Sequence, residues 1–537
     1  MMHNWNCPTC LTPVSQTDGE PADPSQILDA PDDMAAALAR LKLGVKIFKR
    51  VPKPVRSTVA GLLAEQIDLV LGDPTKQNWW NLLSFTYKFL RTHGAERENA
   101  DASSVGTKER PTVARTIREN IKNTERTVDM LANLSLRDAE QTTSPSPMQV
   151  AESVPVDAGG HGGDPTTPEQ LRRRVGSKLA DGDVRGALRI LTTDDSISPN
   201  SAETFEALQR KHPPAPHGDA IQSRATEQPA LQTDAQTVLA AINSMPSGSS
   251  GGLDGLRPRI VQQLVSKETA ESGVRLLSSL TKLVNHALAG RMPDCARPSL
   301  FGASLFALEK PEGGVRPIAV GSVFRRLPAK IAAQYASTQL QAELAPAQVG
   351  VGTRGGCESA VHALRQYATA TACPDSPCII VKCDIKNAFN SVHRTTVLDA
   401  VFSRCPEIFP MAFQSYSAST PLYHNTSLIT SESGVQQGDP LGPLLFSLAI
   451  DPIIQSIETP FNLWYLDDGT LAGPANQVIE TISSLIPQFE AIGLTFNPSK
   501  CEVSSLGDGG QGDTLSSLRG LLPGVRVQPL GELSLLG

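Results

Sequence analysis

Phe461-Asn-Leu-Trp-Tyr-Leu-Asp-Asp-Gly-Thr-Leu-Ala-Gly473 holds two adjacent carboxylates, Asp467 and Asp468, between two apolar runs. Gly469 follows the acids, and the pattern predicts a β-hairpin with the pair at its tip. Adjacent carboxylates repel, so a fold gains little by holding them together without a cation. A divalent metal removes that penalty, and hard Mg²⁺ prefers carboxylate oxygen. Alone, the stretch reads more readily as a solvated Asp-Asp-Gly turn. Its surroundings decide against that.

A third acid ends a short β-branched run, Cys378-Ile-Ile-Val-Lys-Cys-Asp384, which reads as a buried strand delivering Asp384 at its end. Ile385-Lys-Asn-Ala-Phe-Asn-Ser-Val-His393 is then expected to turn into a helix. Asp384 and the Asp467/Asp468 pair can meet on adjacent strands of one sheet. Three aspartates on two cations suit phosphoryl transfer, where one metal activates the attacking hydroxyl and the other stabilises the leaving pyrophosphate. Between them lies Ser433-Gly-Val-Gln-Gln-Gly-Asp-Pro-Leu-Gly-Pro-Leu-Leu-Phe446. There Gly438 admits a close backbone approach, and Asp439-Pro440 predicts a helix start. Upstream, Leu308-Glu-Lys-Pro-Glu-Gly-Gly-Val-Arg-Pro-Ile-Ala-Val-Gly321 predicts a second hairpin whose Lys310 and Arg316 flank the turn and suit a triphosphate.

In this order the blocks resemble the polymerase core of reverse transcriptases, and most nearly the enzymes of non-LTR retrotransposons. Gly252-Leu-Asp-Gly-Leu-Arg-Pro258 is similar to that group's N-terminal extension motif. Lys310 to Ile318, Arg325-Arg326 and Lys330 resemble the fingers, and Gln348-Val-Gly-Val-Gly-Thr-Arg-Gly-Gly-Cys-Glu358 the template-side segment after them. Asp384 to Phe389 resembles motif A, Gln437-Gly438 motif B, Tyr465-Leu-Asp-Asp468 motif C, and Gly493-Leu-Thr-Phe-Asn-Pro-Ser-Lys-Cys501 motif D. The resemblance implies an α+β right-hand fold of fingers and palm and an RNA-directed DNA polymerase. Asp384, Asp467 and Asp468 would bind two Mg²⁺ with help from the Ile385 carbonyl. Lys310 and Arg316 would hold the triphosphate, and Phe389 would close the site under the sugar. Gln437 and Gly438 would contact nucleotide and template, and Lys500 would act as general acid near the pyrophosphate. The implied partners are an RNA template, a DNA primer and dNTPs.

The domain order expected is a helical N-terminal region (1–95), a flexible linker (96–167), a small helical segment and linker (168–217), an N-terminal extension of the polymerase (218–297), then fingers and palm (298–537). Residues 57–95 carry Leu62, Leu63, Ile67, Val70 and Leu71 at helical spacing, then Trp79, Trp80, Leu83 and Phe85 as a core patch. In the resembling family Leu536-Gly537 falls within the primer-grip hairpin, so the expectation is fingers and palm without a thumb or endonuclease. That leaves an alternative: a truncated or domesticated remnant that binds nucleic acid without net synthesis. Another right-hand polymerase is a third reading.

Composition sets the remaining bounds. No run of 18 uncharged apolar residues is present, so no membrane span is expected. The first residues lack a secretory signal, and nine scattered cysteines fit reduced thiols in a nuclear or cytoplasmic setting. Cys7-Pro-Thr-Cys10, with His3, is half of a zinc site without a fourth ligand at usual spacing, so zinc is not expected. The net charge of −7 is unusual for a nucleic-acid enzyme. Residues 251–337 nevertheless hold twelve Lys/Arg against six Asp/Glu, and are expected to line a template channel. Lys42 to Arg56 holds six cations and no acid, which reads as a solvated basic helix end or as a nuclear address or phosphate-contacting arm.

Overall fold

A computed structural model of the chain describes residues 30–92, 112–123, 184–192, 197–216, 229–310, 313–371, 378–506 and 511–533, with a few isolated residues between. Cys7, Cys10 and His3 lie outside the described residues. So does most of the stretch expected as a linker.

Two sheets carry the α+β architecture. The first, in the order β2-β1-β4-β5, pairs β1 (Ala303–Glu309) and β2 (Val315–Gly321) as the expected hairpin and adds β4 (Thr420–His424) and β5 (Ser427–Ser431). The second, in the order β6-β7-β3-β8-β9, centres on β3 (Cys378–Cys383). Its other strands are β6 (Phe461–Tyr465), β7 (Asp468–Pro474), β8 (Glu502–Ser505) and β9 (Arg526–Val527). β3 runs antiparallel to both β7 and β8. Every residue of β3 but Lys382 is buried, as a continuous apolar run predicts for a central strand. The helix Ala475–Ala491 packs behind this sheet, and the helix Gly442–Gln455 packs on that helix in turn; Val478, Ile482, Leu485 and Phe489 of the first and Leu444, Leu445, Leu448 and Ile450 of the second share one core. The strands of this sheet are those read from the sequence as palm, and β1 and β2 those read as fingers.

The N-terminal helices share that core. In Lys53–Gly72, Val55, Val59, Leu63, Ile67 and Val70 recur every three or four residues, and all are buried. The helix packs along Ala270–Leu288. Trp79, Trp80, Leu83 and Phe85 are buried as a packing patch, as their clustering predicted. Within the stretch read as linker, Val113–Lys122 is a helix. It is capped by Thr112, buries Ile117, and its Asn120 amide donates to the Phe89 and Arg91 carbonyls. Among the described residues no helix is long and apolar enough to cross a membrane.

Several cations expected at a nucleic-acid surface are internal. Arg325, on the helix Val323–Leu344, donates through Nη2 to Asp439 Oδ2 (2.7 Å) and Tyr416 Oη (3.2 Å). Through Nη1 it donates to the Phe301 carbonyl (2.6 Å) and to the Gln436 side chain. The Arg325 and Asp439 side chains are each 2% exposed. Arg326 is also buried and donates to the Ser250 carbonyl. Arg325 and Tyr416 take Oδ2 of Asp439, which does not cap a helix at Pro440. It caps only the turn before, accepting from Leu441 N, and the helix starts at Gly442. The basic Lys42–Arg56 stretch is likewise partly internal. Arg56 and Lys53 pair with Glu268, and the Lys42 ammonium is enclosed although its stem is partly exposed.

Removing one partner of a buried ion pair leaves the other charge uncompensated. Arg325→Met is therefore expected to cost about 3–5 kcal/mol of stability. The double variant Arg325→Met/Asp439→Leu should recover much of it, because it buries no lone carboxylate. Urea unfolding of the two variants beside the parent checks this.

Candidate active site

The register of β3 against β7 sets the centre of the site. Cys378 pairs with Pro474 and Cys383 with Gly469, so one more step places Asp384 opposite Asp468. Asp467 lies in the two-residue turn between β6 and β7, beside Leu466, whose φ is +58°. A bulky residue in the left-handed region is strained and needs support from its surroundings. Gln348, completely buried, supplies it: its Oε1 accepts from Leu466 N (2.8 Å) and its Nε2 donates to the Leu466 carbonyl (3.2 Å). The 347–349 backbone also runs beside β6, with Trp464 N donating to Ala347 O (2.6 Å) and Val349 N to Trp464 O (2.8 Å). The first residue of the segment read as template-side thus turns inward and holds the acidic turn.

The acids lie within reach of one another's charge. Burial raises the Asp467 carboxyl from 3.8 to about 7, and the charges of Asp468 and Asp384 push the same way. Asp468 is raised by burial and by Asp384, with Lys382 opposing. Among the described residues, no three His, Cys, Asp or Glu side chains are already drawn together as a metal site. Asp384 Oδ2 is instead turned to Asn497, accepting from its Nδ2 at 2.8 Å, while Asn497 N donates to the Asp384 carbonyl at 2.8 Å. The donor set still fits a hard divalent ion: it offers carboxylate oxygens only, and burial together with neighbouring negative charge raises Asp467 and Asp468, an effect that a cation would relieve.

A basic lobe faces these acids. Lys310, half-buried at the end of β1, feels the charges of Lys211, Lys500 and Arg316, with Asp384 opposing. Arg316 is exposed on β2, and Lys500 follows the turn where its N–H donates to the Asn497 carbonyl. Phe389 stacks on Phe446 with ring centroids 4.8 Å apart. Its carbonyl accepts from Val435 N at 2.7 Å, which joins the motif A helix to the motif B loop. Gln437 is half-buried, and its carbonyl accepts from Ala319 N of β2 at 2.7 Å. At Gly438 (φ +119°) a Cβ would sit 2.4 Å from the Ala319 carbonyl. The close approach read from this glycine is therefore made by β2. Ile385 is buried and bridges to Phe496.

Of the residues singled out in the sequence, Asp384, Asp467, Asp468, Lys310 and Lys500 lie within reach of one another's charge, and Phe389 and Gln437 are each held by backbone bonds nearby. Sequence reasoning missed Asn497 as a partner of Asp384, although the residue lies in a quoted motif, and it missed Lys211, which no local pattern marks.

The raised acids make stability depend on pH. With a folded-state value near 7 against 3.8 for an ordinary aspartate, Asp467 holds a proton in the folded chain where the unfolded chain has lost it. Its contribution is full below about pH 4 and is lost as pH rises through about 7. The expected outcome, without divalent cations, is that Asp467→Asn gains melting temperature relative to the parent between pH 5 and 8. Millimolar Mg²⁺ should shrink that gap above pH 7. Melts across a pH series, with and without Mg²⁺, check both.

Residues 308–525 match the family model described as reverse transcriptase (RNA-dependent DNA polymerase). The retrotransposable element SLACS 132 kDa protein of Trypanosoma brucei gambiense is 27% identical over 321 residues, 57% of this chain and 26% of that protein. The R2DM retrotransposable element Pol polyprotein of Drosophila melanogaster is 23% identical over 336 residues, 58% of this chain and 30% of that protein. The chain spans between a quarter and a third of the length of these relatives. A solved apo telomerase chain from Candida tropicalis overlaps 65% of the chain at 11% identity with a TM-score of 0.32. Residues 308–525 of this chain are a reverse transcriptase domain, similar to those of non-LTR retrotransposon polyproteins.

Proposed function

We propose that the chain is the RNA-directed DNA polymerase core of a non-LTR retrotransposon, extending a DNA primer on an RNA template with dNTPs. The observation that carries the reading is the β3–β7 register, which sets Asp384 opposite Asp468 with Asp467 in the adjoining turn and a lobe of lysines beside them. Mg²⁺ held by Asp384, Asp467 and Asp468, with the Ile385 carbonyl, would supply activation of the primer 3′-hydroxyl and charge neutralisation at the leaving pyrophosphate.

The chain's own residues do the rest. Asn497 orients Asp384 through its Nδ2, and Gln348 fixes the turn that carries Asp467. Lys310 and Arg316, at the turn end of the β1–β2 hairpin, hold phosphate oxygens. Arg gives the bidentate contact and Lys a point charge. Lys500 stands on the pyrophosphate side as a proton donor. Gln437 offers its side chain to the nucleotide and template while its backbone is fixed by Ala319. Phe389, held flat by Phe446, closes the floor under the sugar.

Asp467→Asn and Asp384→Ala are each expected to lower nucleotide incorporation by orders of magnitude while primer–template affinity changes little. Primer extension with Mg²⁺ on an RNA template reads this, and near-normal extension by either variant would sink the assignment. For Phe389, a ribonucleotide 2′-OH would collide with the ring, and overpacking of that kind costs about 1–3 kcal/mol. Phe389→Val should therefore relax the dNTP/rNTP preference by about ten- to hundredfold. An unchanged preference would leave Phe389 as a packing residue only.

A further inference from the structure

Residues 197–216 lie outside the matched domain, yet they run along the fingers sheet and into the cleft. Ile197 bridges Leu308, and Ser198 N donates to the Ala307 carbonyl at 2.9 Å, so the segment begins as an added edge on β1. Ser201 caps the helix Ala202–Arg210. That helix buries Leu208 completely among Ala303, Leu305, Val315 and Ala319. It ends at Lys211, whose N–H donates back to Leu208 O (3.0 Å). The Lys211 carbonyl accepts from Asn387 Nδ2 at 2.9 Å. Asn387 is three residues past Asp384, in the left-handed turn of motif A (φ +54°). Beyond it Ser433 Oγ donates to the Pro214 carbonyl (2.8 Å), and Ala215 N donates to Glu432 (3.1 Å). The strap is thus tied to β1, to motif A and to the approach to motif B.

This anchoring places the half-buried Lys211 side chain in the field of Asp384, Lys386 and Lys500, and Lys310 feels Lys211 in turn. Lys211 is within range of the like charges of Lys386, Lys500 and Lys310, which repel it in the absence of a ligand. A compact polyanion relieves that repulsion, and a cleft walled by one sign of charge concentrates such a ligand. A triphosphate brings its charges to one place, whereas a nucleic-acid strand spreads them along a groove.

We propose that Lys211 is a substrate-binding residue for the nucleoside triphosphate, delivered into the polymerase cleft by a strap that lies outside the reverse transcriptase domain. The proposal rests on the polymerase reading and adds a phosphate contact that the family motifs do not contain. Backbone atoms tie the strap to Asn387 and Ser433, so a change of the Lys211 side chain leaves the anchoring intact.

The test uses the full chain with Lys211→Gln and Lys211→Arg. Binding of a fluorescent dNTP is measured with Ca²⁺ replacing Mg²⁺, and KM and kcat by primer extension with Mg²⁺. Loss of one charge-assisted contact predicts about a ten- to hundredfold weaker Kd and higher KM for dNTP in Lys211→Gln. kcat, melting temperature and primer–template affinity should stay near the parent's, and Lys211→Arg should recover most of the loss. Unchanged dNTP binding and KM would overturn the proposal and leave the polymerase reading standing. So would a fall confined to primer–template affinity, which marks a nucleic-acid contact, or faster incorporation, which marks an obstructing strap. A parent chain that neither binds dNTP nor extends primers overturns both.

Discussion

The antiparallel pairing of β3 with β7 is the constraint on which the site depends. Side chains alternate between sheet faces, so a slip of one residue would move Asp384 to the other face from its partner and break the acidic group. Little in the acids themselves opposes that slip, because they repel. The register is held by what lies behind them: Ile379, Val381 and Leu471 in the large core, Ile380 and Ala472 in a smaller one on the opposite side. Apolar burial on both faces of β3 fixes where a set of charges must stand. β8 closes the other edge, pairing Ile379 with Ser505 and Lys382 with Glu502.

A second constraint sets the fingers against the palm. Asp439, Arg325, Tyr416 and Gln436 form one buried polar cluster, and Gln436 also reaches Thr420 Oγ1 at the start of β4 (3.0 Å). The cluster joins the long helix after β2 to the loop before Gly442. In the same loop the Gln437 carbonyl is fixed on Ala319, and the Val435 N–H on Phe389. The Phe389 ring, the Gln437 side chain and the Lys310 hairpin are therefore positioned by one body rather than by separate mobile loops. Buried ionic groups add little net stability over apolar packing, but their directional bonds select one arrangement.

What the sequence made legible, and what it hid, follows from range. The hairpin at Asp467/Asp468, the strand before Asp384 and the N-terminal helices rest on short periods, two for strands and 3.6 for helices, which survive without tertiary knowledge. Arg325 and Arg326 read as surface cations because charge is usually exposed, and only Asp439, 114 residues away from Arg325, shows the burial. Val113–Lys122 lay in a polar stretch whose single apolar stripe, through Ile117, gains meaning only against the Asn120 contacts to Phe89 and Arg91. Lys211 sits in a plain helix end. Nothing within ten residues marks it, and its place follows from the Asn387 contact across 176 residues.

The N-terminal helices belong to the same logic. Lys42 Nζ donates to the Gly251 and Gly252 carbonyls (3.0 and 3.1 Å) and to Ser304 Oγ of β1 (2.6 Å). Burial pushes its ammonium down to about 7, with Asp254 opposing. Tyr87 Oη donates to the Leu253 carbonyl (2.5 Å), and Thr86 to that of Asp254. Asp254 in turn accepts from Ser322 Oγ (2.6 Å), the cap of the helix that carries Arg325. Hydrogen bonds therefore run from the Lys42 helix through the Gly251–Leu256 loop to the buried cluster that sets motif B. An enclosed ammonium with three acceptors costs desolvation that its contacts only partly offset. The cost is borne where it holds loop backbone carbonyls that no strand or helix would otherwise satisfy. The N-terminal region is in this sense a back wall of the fingers, and Lys42, which read as part of a solvated basic helix end or a phosphate-contacting arm, belongs to the frame.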